Sequence, residues 1–191
     1  DLFVECIAAP GFDESARTEL RRRKNCRLLH MPGTGSEPRP ELRSIMAGVL
    51  LQDRDLGDPA ERAADWQVVT DRQPSEEEWR SLRFSWTACQ HVKSNAIVLS
   101  QGEATVGIGG GQPNRVDCVR IAGERAEKRA KGSVMASDAF FPFPDAVALA
   151  ADLGVTAIIH PGGSIRDHLS VDVANDADIT MVTTGVRHFR H

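Results

Sequence analysis

No stretch of the 191 residues holds the roughly 18 consecutive apolar side chains that a membrane-spanning helix requires. The opening Asp1-Leu2-Phe3 does not begin a secretory leader, so no membrane partner is expected and the expected compartment is the cytoplasm. Positive charge is not in excess either. A net charge of −4 gives no electrostatic footprint for a polyanion, so no nucleic-acid partner is expected. The histidines at 30, 91, 160, 168, 188 and 191 form no HxxxH or HxE pair, which argues against metal catalysis. Cys6, Cys26, Cys89 and Cys118 show no CxxC spacing and read as free thiols of a reducing compartment. A GxSxG elbow for a nucleophilic serine is missing.

What is present is ordinary globular composition, 41% apolar and 26% charged, long enough for one large domain or two small ones. Strands are expected at 2–8, 26–30, 44–51, 96–99, 104–108, 133–137, 155–159 and 179–182, with a short extended piece at 66–70. Helices are expected at 14–24, 76–89, 116–130, 145–153 and 165–175. Asp13 is placed to cap the first helix, and Ser75 with Glu78 has capping-box spacing before the second. The run Arg21-Arg22-Arg23-Lys24 reads as cations in a last helical turn. Residues 31–41 are a loop and 54–64 a polar, turn-like region. Strands alternating with helices predict an α/β layered sheet. A chain that opens directly on a strand reads as a fragment, a processed product or one subunit of a split protein.

The chemistry concentrates in residues 82–120. Asn95 stands at the entrance of an apolar strand, and its carboxamide offers a donor beside an acceptor. Gly109-Gly110-Gly111 precedes a helix, where glycines let the backbone turn sharply and aim N–H groups at an anion. Arg115 offers a fork for phosphate, or else pairs with Asp117 or Glu124 along its own helix. Downstream, Phe140, Phe141 and Phe143 beside two prolines make either core or a rigid apolar wall for flat rings. Gly162-Gly163-Ser164-Ile165 turns into a helix with exposed N–H groups, for which Ser164 is a ready cap. By composition alone Arg187-His188-Phe189-Arg190-His191 is a basic, unstructured end.

Six blocks in one order carry a family resemblance: FVECIAAPGFD (3–13), RSIMAGVLLQDRD (43–55), HVKSNAIVL with VGIGGGQPNRVD (91–117), KGSVMASDAFFPF (131–143), HPGGSIRD (160–167) and RHFRH (187–191). Together they resemble the C-terminal half of the AICAR transformylase domain of the bifunctional AICAR transformylase/IMP cyclohydrolase family. The resemblance implies a three-layer, cytidine-deaminase-like sheet with flanking helices. Residues 1–65 would end a preceding lobe and connect it, and 66–191 would form a second deaminase-like lobe. It also implies formyl transfer from 10-formyltetrahydrofolate to AICAR, a homodimer, and a partner role for the remaining N-terminal half. By resemblance Asn95, Arg115, Phe140 and Arg187 hold AICAR, while Val116, Asp145, Ser164 and Ile165 contact the folate. Ser94 and Asp138 fall where some members hold potassium (K+), mostly through backbone oxygens. The deaminase signature PCxxC is absent, so zinc is not implied.

Two departures stand out. Asn114 replaces the usual serine before the arginine, and Pro144 replaces an arginine in the common FFPFRD spelling. The family's catalytic Lys-His pair has no counterpart, since this chain contains no Lys-His dipeptide. His160 and His191 are the remaining candidates for a base. A non-catalytic nucleotide-binding or regulatory module is the alternative reading.

Overall fold

A computed structural model describes residues 3–33, 40–55, 57–58 and 65–190. Most of the expected 31–41 loop, most of the 54–64 turn region, Leu2 and His191 lie outside the described residues. The chain forms two compact units, Asp1–Arg54 and Asp55–His191.

In the first unit β1 (Cys6–Ala9) pairs in parallel with β2 (Arg27–His30), and α1 (Glu14–Leu20) connects them. Asp13 caps α1 as its sequence position suggests, accepting from the Ala16 N–H at 2.7 Å. The helix stops at Leu20, so Arg21–Lys24 lie beyond it rather than in its last turn. The strand expected at 44–51 is instead a hairpin, β3 (Glu41–Ile45) and β4 (Gly48–Gln52), turning on Met46-Ala47. That pair carries none of the Asn-Gly or Asp-Gly chemistry that marks such turns in a sequence.

The second unit is a six-stranded sheet in the order β5-β10-β9-β8-β6-β7. Its strands are β5 (Gln67–Val68), β6 (Ala96–Gln101), β7 (Ala104–Gly110), β8 (Val134–Ser137), β9 (Ala157–His160) and β10 (Thr180–Thr183). β8, β9 and β10 run parallel, β6 is antiparallel to both β7 and β8, and β5 closes the other edge antiparallel to β10. Period-two alternation sends Ile97 and Leu99 to one face, with Met135, Ile158 and Met181. Ala96 and Val98 go to the other, with Ala136, Ile159 and Val182.

Helices α3 (Arg115–Ala126), α4 (Asp145–Asp152) and α5 (Asp167–Asp176) cover the first face through Cys118, Val119, Ala122, Val147, Ala150 and Ala174. Helix α2 (Glu76–Cys89) covers the second through Leu82, Trp86 and Cys89. Three layers result, helix on sheet on helix. α2 opens with the expected capping box, both reciprocal bonds being made between Ser75 and Glu78. α3 ends four residues earlier than expected and continues as a 3-10 turn, Glu127–Ala130.

Candidate functional site

The glycines before α3 do something other than what their run suggests. Gly109 and Gly110 belong to β7, and a Cβ on Gly109 would sit 2.0 Å from the Cys118 carbonyl oxygen. Gly107 meets the Ala122 carbonyl oxygen at the same distance. These glycines let α3 lie against the sheet backbone to backbone. Only Gly111 takes a positive φ, 71°, and its N–H donates inward to the Lys93 and Asn95 carbonyls at 2.7 and 2.9 Å. The N-terminus of α3 is already served by Asn114, whose Oδ1 accepts from the Asp117 N–H at 2.8 Å. The expected anion cradle is therefore closed by the protein's own groups.

Beside it lies a buried charged node. Asp138, wholly buried, accepts from the Ala96 N–H at 3.1 Å and from Arg115 Nη1 at 2.7 Å, and the Ser94 hydroxyl donates to its other oxygen. Arg115 donates further from Nη2 to Asn95 Oδ1 at 3.0 Å and from Nε to the Phe140 carbonyl at 3.1 Å. Its partner is thus neither Asp117, which pairs with Arg120, nor Glu124, but a carboxylate 23 residues away. Burial lowers the Arg115 pKa, and the Asp138 charge opposes that shift. The Asn95 carboxamide is held at both ends, with Nδ2 donating to the Gln112 carbonyl at 2.8 Å.

Three of the five guanidinium N–H groups are committed, which leaves one on each terminal nitrogen. The Ser94 and Asp138 side chains fit a potassium ion poorly. The carboxylate is already matched by Arg115, and the hydroxyl faces it as a donor.

A cavity of about 340 Å³ opens at this node, lined by Asn95, Arg115, Val116, Phe140, Phe143 and Asp145. Three residues assigned to AICAR by resemblance and two assigned to folate thus share one hollow. Phe140 and Phe143 line it, whereas Phe141 turns into the core and is fully buried. Asp145 Oδ1 accepts the Ala146 N–H at 2.8 Å in the first turn of α4. Ser164 and Ile165 do not line the cavity, and Ile165 is 99% exposed. Their turn is nonetheless tied to it. Arg166 stands over the Phe143 ring at 5.3 Å, and Arg187 over the Phe140 ring at 5.1 Å.

The C-terminal residues are ordered, against what their composition suggests. The His188 N–H donates to the Asp138 carbonyl at 3.1 Å, and the Ser94 N–H donates to the Arg190 carbonyl at 2.8 Å. The His188 ring is buried 4.5 Å from Trp86 and places Nδ1 2.7 Å from Asp55. Phe189 adds a further wall to the cavity. Gln112, Arg166 and Phe189 were not singled out in the sequence. All three nevertheless sit inside recognised blocks.

His160 lines a separate hollow of about 400 Å³ with Gly162, Gly163 and Asp167. Burial lowers its pKa to about 4, with Asp167 opposing and Arg115 adding to the shift. The Gly162 N–H donates to Nδ1 at 3.1 Å, which puts the ring proton on Nε2, where it meets no partner among the described residues. Its one lone pair is taken, so His160 is badly placed to accept a proton from a substrate.

Comparison with known proteins adds the lineage. The pattern of the family described as AICARFT/IMPCHase bienzyme matches residues 1–125. The bifunctional purine biosynthesis protein PurH of Anaeromyxobacter sp. (strain Fw109-5) is 50% identical over 201 residues, covering 100% of this chain and 38% of its own. PurH of Shouchella clausii (strain KSM-K16) is 50% identical over 191 residues, covering 100% and 37%. PurH of Streptococcus suis is 48% identical over 194 residues, with coverage of 100% and 37%. The chain thus spans less than two fifths of the length of these curated relatives. Acinetobacter baumannii RibD (form 2) is 12% identical with a TM-score of 0.37 over 55% of this chain and 33% of its own, a likeness too slight to carry an argument. On the match over residues 1–125, and with relatives at about half identity along its whole length, the chain belongs to the AICARFT/IMPCHase bienzyme family of purine biosynthesis.

Proposed function

We propose that this chain supplies the substrate- and folate-binding part of an AICAR transformylase, which moves a formyl group from 10-formyltetrahydrofolate to AICAR. The observation that carries the reading is the convergence of Asn95, Arg115, Val116, Phe140 and Asp145 on one cavity, from segments up to 50 residues apart. In this reading residues 66–191 are the second deaminase-like lobe, and 1–65 end the preceding one. Active sites form in a homodimer that includes the remaining half. The exposed Leu42, Val49, Leu50 and Leu51 favour such a partner.

The reaction joins the AICAR amine to the formyl carbon, breaks the bond from that carbon to folate N10, and returns the amine proton to N10. The nucleophile is weak, so holding both reactants in register carries much of the rate. The fixed Asn95 carboxamide has one N–H and one lone pair left to read the carboxamide of AICAR. Arg115 aligns Asn95 and keeps two N–H groups for the nucleotide, and Arg187 adds a second cation. Phe140 and Phe143 give the flat rings an apolar face. Val116, Asp145, Ser164 and Ile165 serve the folate. Proton transfer falls to the Lys-His pair of the other half, since His160 has its lone pair occupied.

Titration calorimetry with AICAR tests the reading. Asn95→Ala should weaken binding about three- to tenfold, the worth of a specific hydrogen bond to a neutral group. Formyl transfer should require addition of the Lys-His half. Failure of the chain to bind AICAR, or identical affinity in the variant, would overturn the assignment.

A further inference from the structure

Arg166 is absent from every role assigned so far, yet it links the 162–166 turn to the cavity wall. Its guanidinium lies 5.3 Å from the centre of the Phe143 ring, a half-exposed ring that lines the cavity beside Asp145 and Val116. Among the described residues it meets no carboxylate. The side chain nevertheless has a fixed base. The Arg166 N–H donates to Ser164 Oγ at 3.1 Å, and Asp167 Oδ2 accepts from Gly163 and Ser164 at 2.7 and 3.1 Å. Phe143 is held between Pro142 and Pro144. A planar cation stacked on an aromatic face keeps its edge N–H groups free, in the fork that suits a carboxylate. The arrangement repeats that of Arg187 on Phe140, so two exposed cations stand over two rings of one wall.

Resting on the proposed transformylase reading, we infer that Arg166 is a binding residue for the folate, pairing with a carboxylate of its glutamate moiety. A tetrahydrofolate carries its pterin, p-aminobenzoyl and glutamate groups in a line. Val116 and Asp145 line the cavity, Ser164 and Ile165 belong to the turn, and the exposed Arg166 joins the two through Phe143. Arg187 stands over Phe140, which lines the cavity with Asn95 and Arg115, and its Nη2 also comes close to Gly163 of the turn, so the AICAR arm of the test tells the two cations apart.

The test measures binding to the whole chain of tetrahydrofolate and of tetrahydropteroate, which lacks the glutamate, with AICAR as a third arm. Arg166→Ala should weaken tetrahydrofolate about three- to tenfold, as for a partly exposed charge pair, and leave tetrahydropteroate unchanged. Arg166→Lys should recover part of the loss, and the wild-type preference for the glutamate-bearing ligand should fade with added salt. Equal binding of tetrahydrofolate by wild type and Arg166→Ala overturns this role alone. Equal weakening of both folates overturns it too, by making the residue structural. A loss confined to AICAR moves the cation to the phosphate and overturns it likewise. If the wild-type chain binds no folate at all, the transformylase reading fails and this role fails with it.

Discussion

Residues 3–54 and 65–190 are built from the same kinds of element, yet they dispose of their apolar side chains in opposite ways. In the first group no described residue is buried. Leu42, Met46, Val49, Leu50 and Leu51 are all more than half exposed. In the second, a sheet with both faces covered hides Leu82, Ile97, Leu99, Met135, Phe141 and Ile158 completely. Local signals are equally good in both, since Asp13 caps α1 as soundly as Ser75 caps α2. Capping and turn chemistry set where an element begins and ends. They do not supply the stability that burial supplies, because a seven-residue helix and two-stranded sheets are marginal without packing.

The most severe way to break the comparison is to separate the two units. Residues 55–191 alone should keep a cooperative urea transition followed by circular dichroism, because both sheet faces stay covered. Residues 1–54 alone should show none. A cooperative transition in the short piece would mean that exposed side chains are not what distinguishes it.

Single substitutions sharpen the contrast. Phe141→Ala should cost about 3–5 kcal/mol, since the ring is fully buried and its neighbours cannot collapse into the space. Gly109→Ala, which drives a methyl into the Cys118 carbonyl, should cost about 1–3 kcal/mol. Leu50→Ala, on a 53% exposed side chain, should stay within about 0.5 kcal/mol in the isolated chain. Urea midpoints at constant slope read all three. A Leu50→Ala loss comparable to that of Phe141→Ala would remove the distinction.

What was legible in the sequence follows the same division between local and distant. The alternation of strands with helices, the caps Asp13 and Ser75 and the apolar strand after Asn95 are short-range patterns, and they read correctly. Ser164, by contrast, does not cap α5, which begins at Asp167 with Arg166 as its N-cap and no side-chain cap bond. The glycine run misled because one residue type serves two ends. Gly109 looks like part of a ligand loop in sequence but, like Gly107 within the strand, lets α3 approach the sheet. Met46-Ala47 carries no turn signal, so a hairpin read as a single strand. The partners of the charged groups were invisible for another reason. Arg115 finds Asp138 23 positions on, and His188 finds Asp55 133 positions back, distances that only the folded sheet brings together. Family resemblance named five of the residues that line the cavity, where composition could not, and the C-terminal run that composition reads as a loose end contributes Phe189 to the lining.

A further expected effect is a pH dependence carried by two groups of the second unit, His160 and Glu78. His160 has a pKa near 4 when folded against an ordinary 6.5, chiefly because burial penalises the imidazolium. Between those values the unfolded chain binds more protons than the folded one, so stability is full above pH 6.5 and falls as pH drops toward 4. At pH 5.5 the loss relative to neutral pH should be about 1 kcal/mol. Glu78 acts in a lower window. Burial would raise its pKa, but Arg72, the Ser75 N–H and Thr156 together bring it to about 2 from 4.5. Its contribution is therefore complete above 4.5 and is lost between 4.5 and 2. Urea midpoints at pH 7.5, 5.5 and 4 follow the two groups. His160→Gln should flatten the decline between 7.5 and 5.5 and lessen that between 5.5 and 4, where its folded pKa lies. Glu78→Gln should leave the upper decline intact and lessen only the lower one, at some cost at neutral pH from the weakened pairing with Arg72 at 2.8 Å. A decline between pH 7.5 and 5.5 that survives His160→Gln would show that another group carries it.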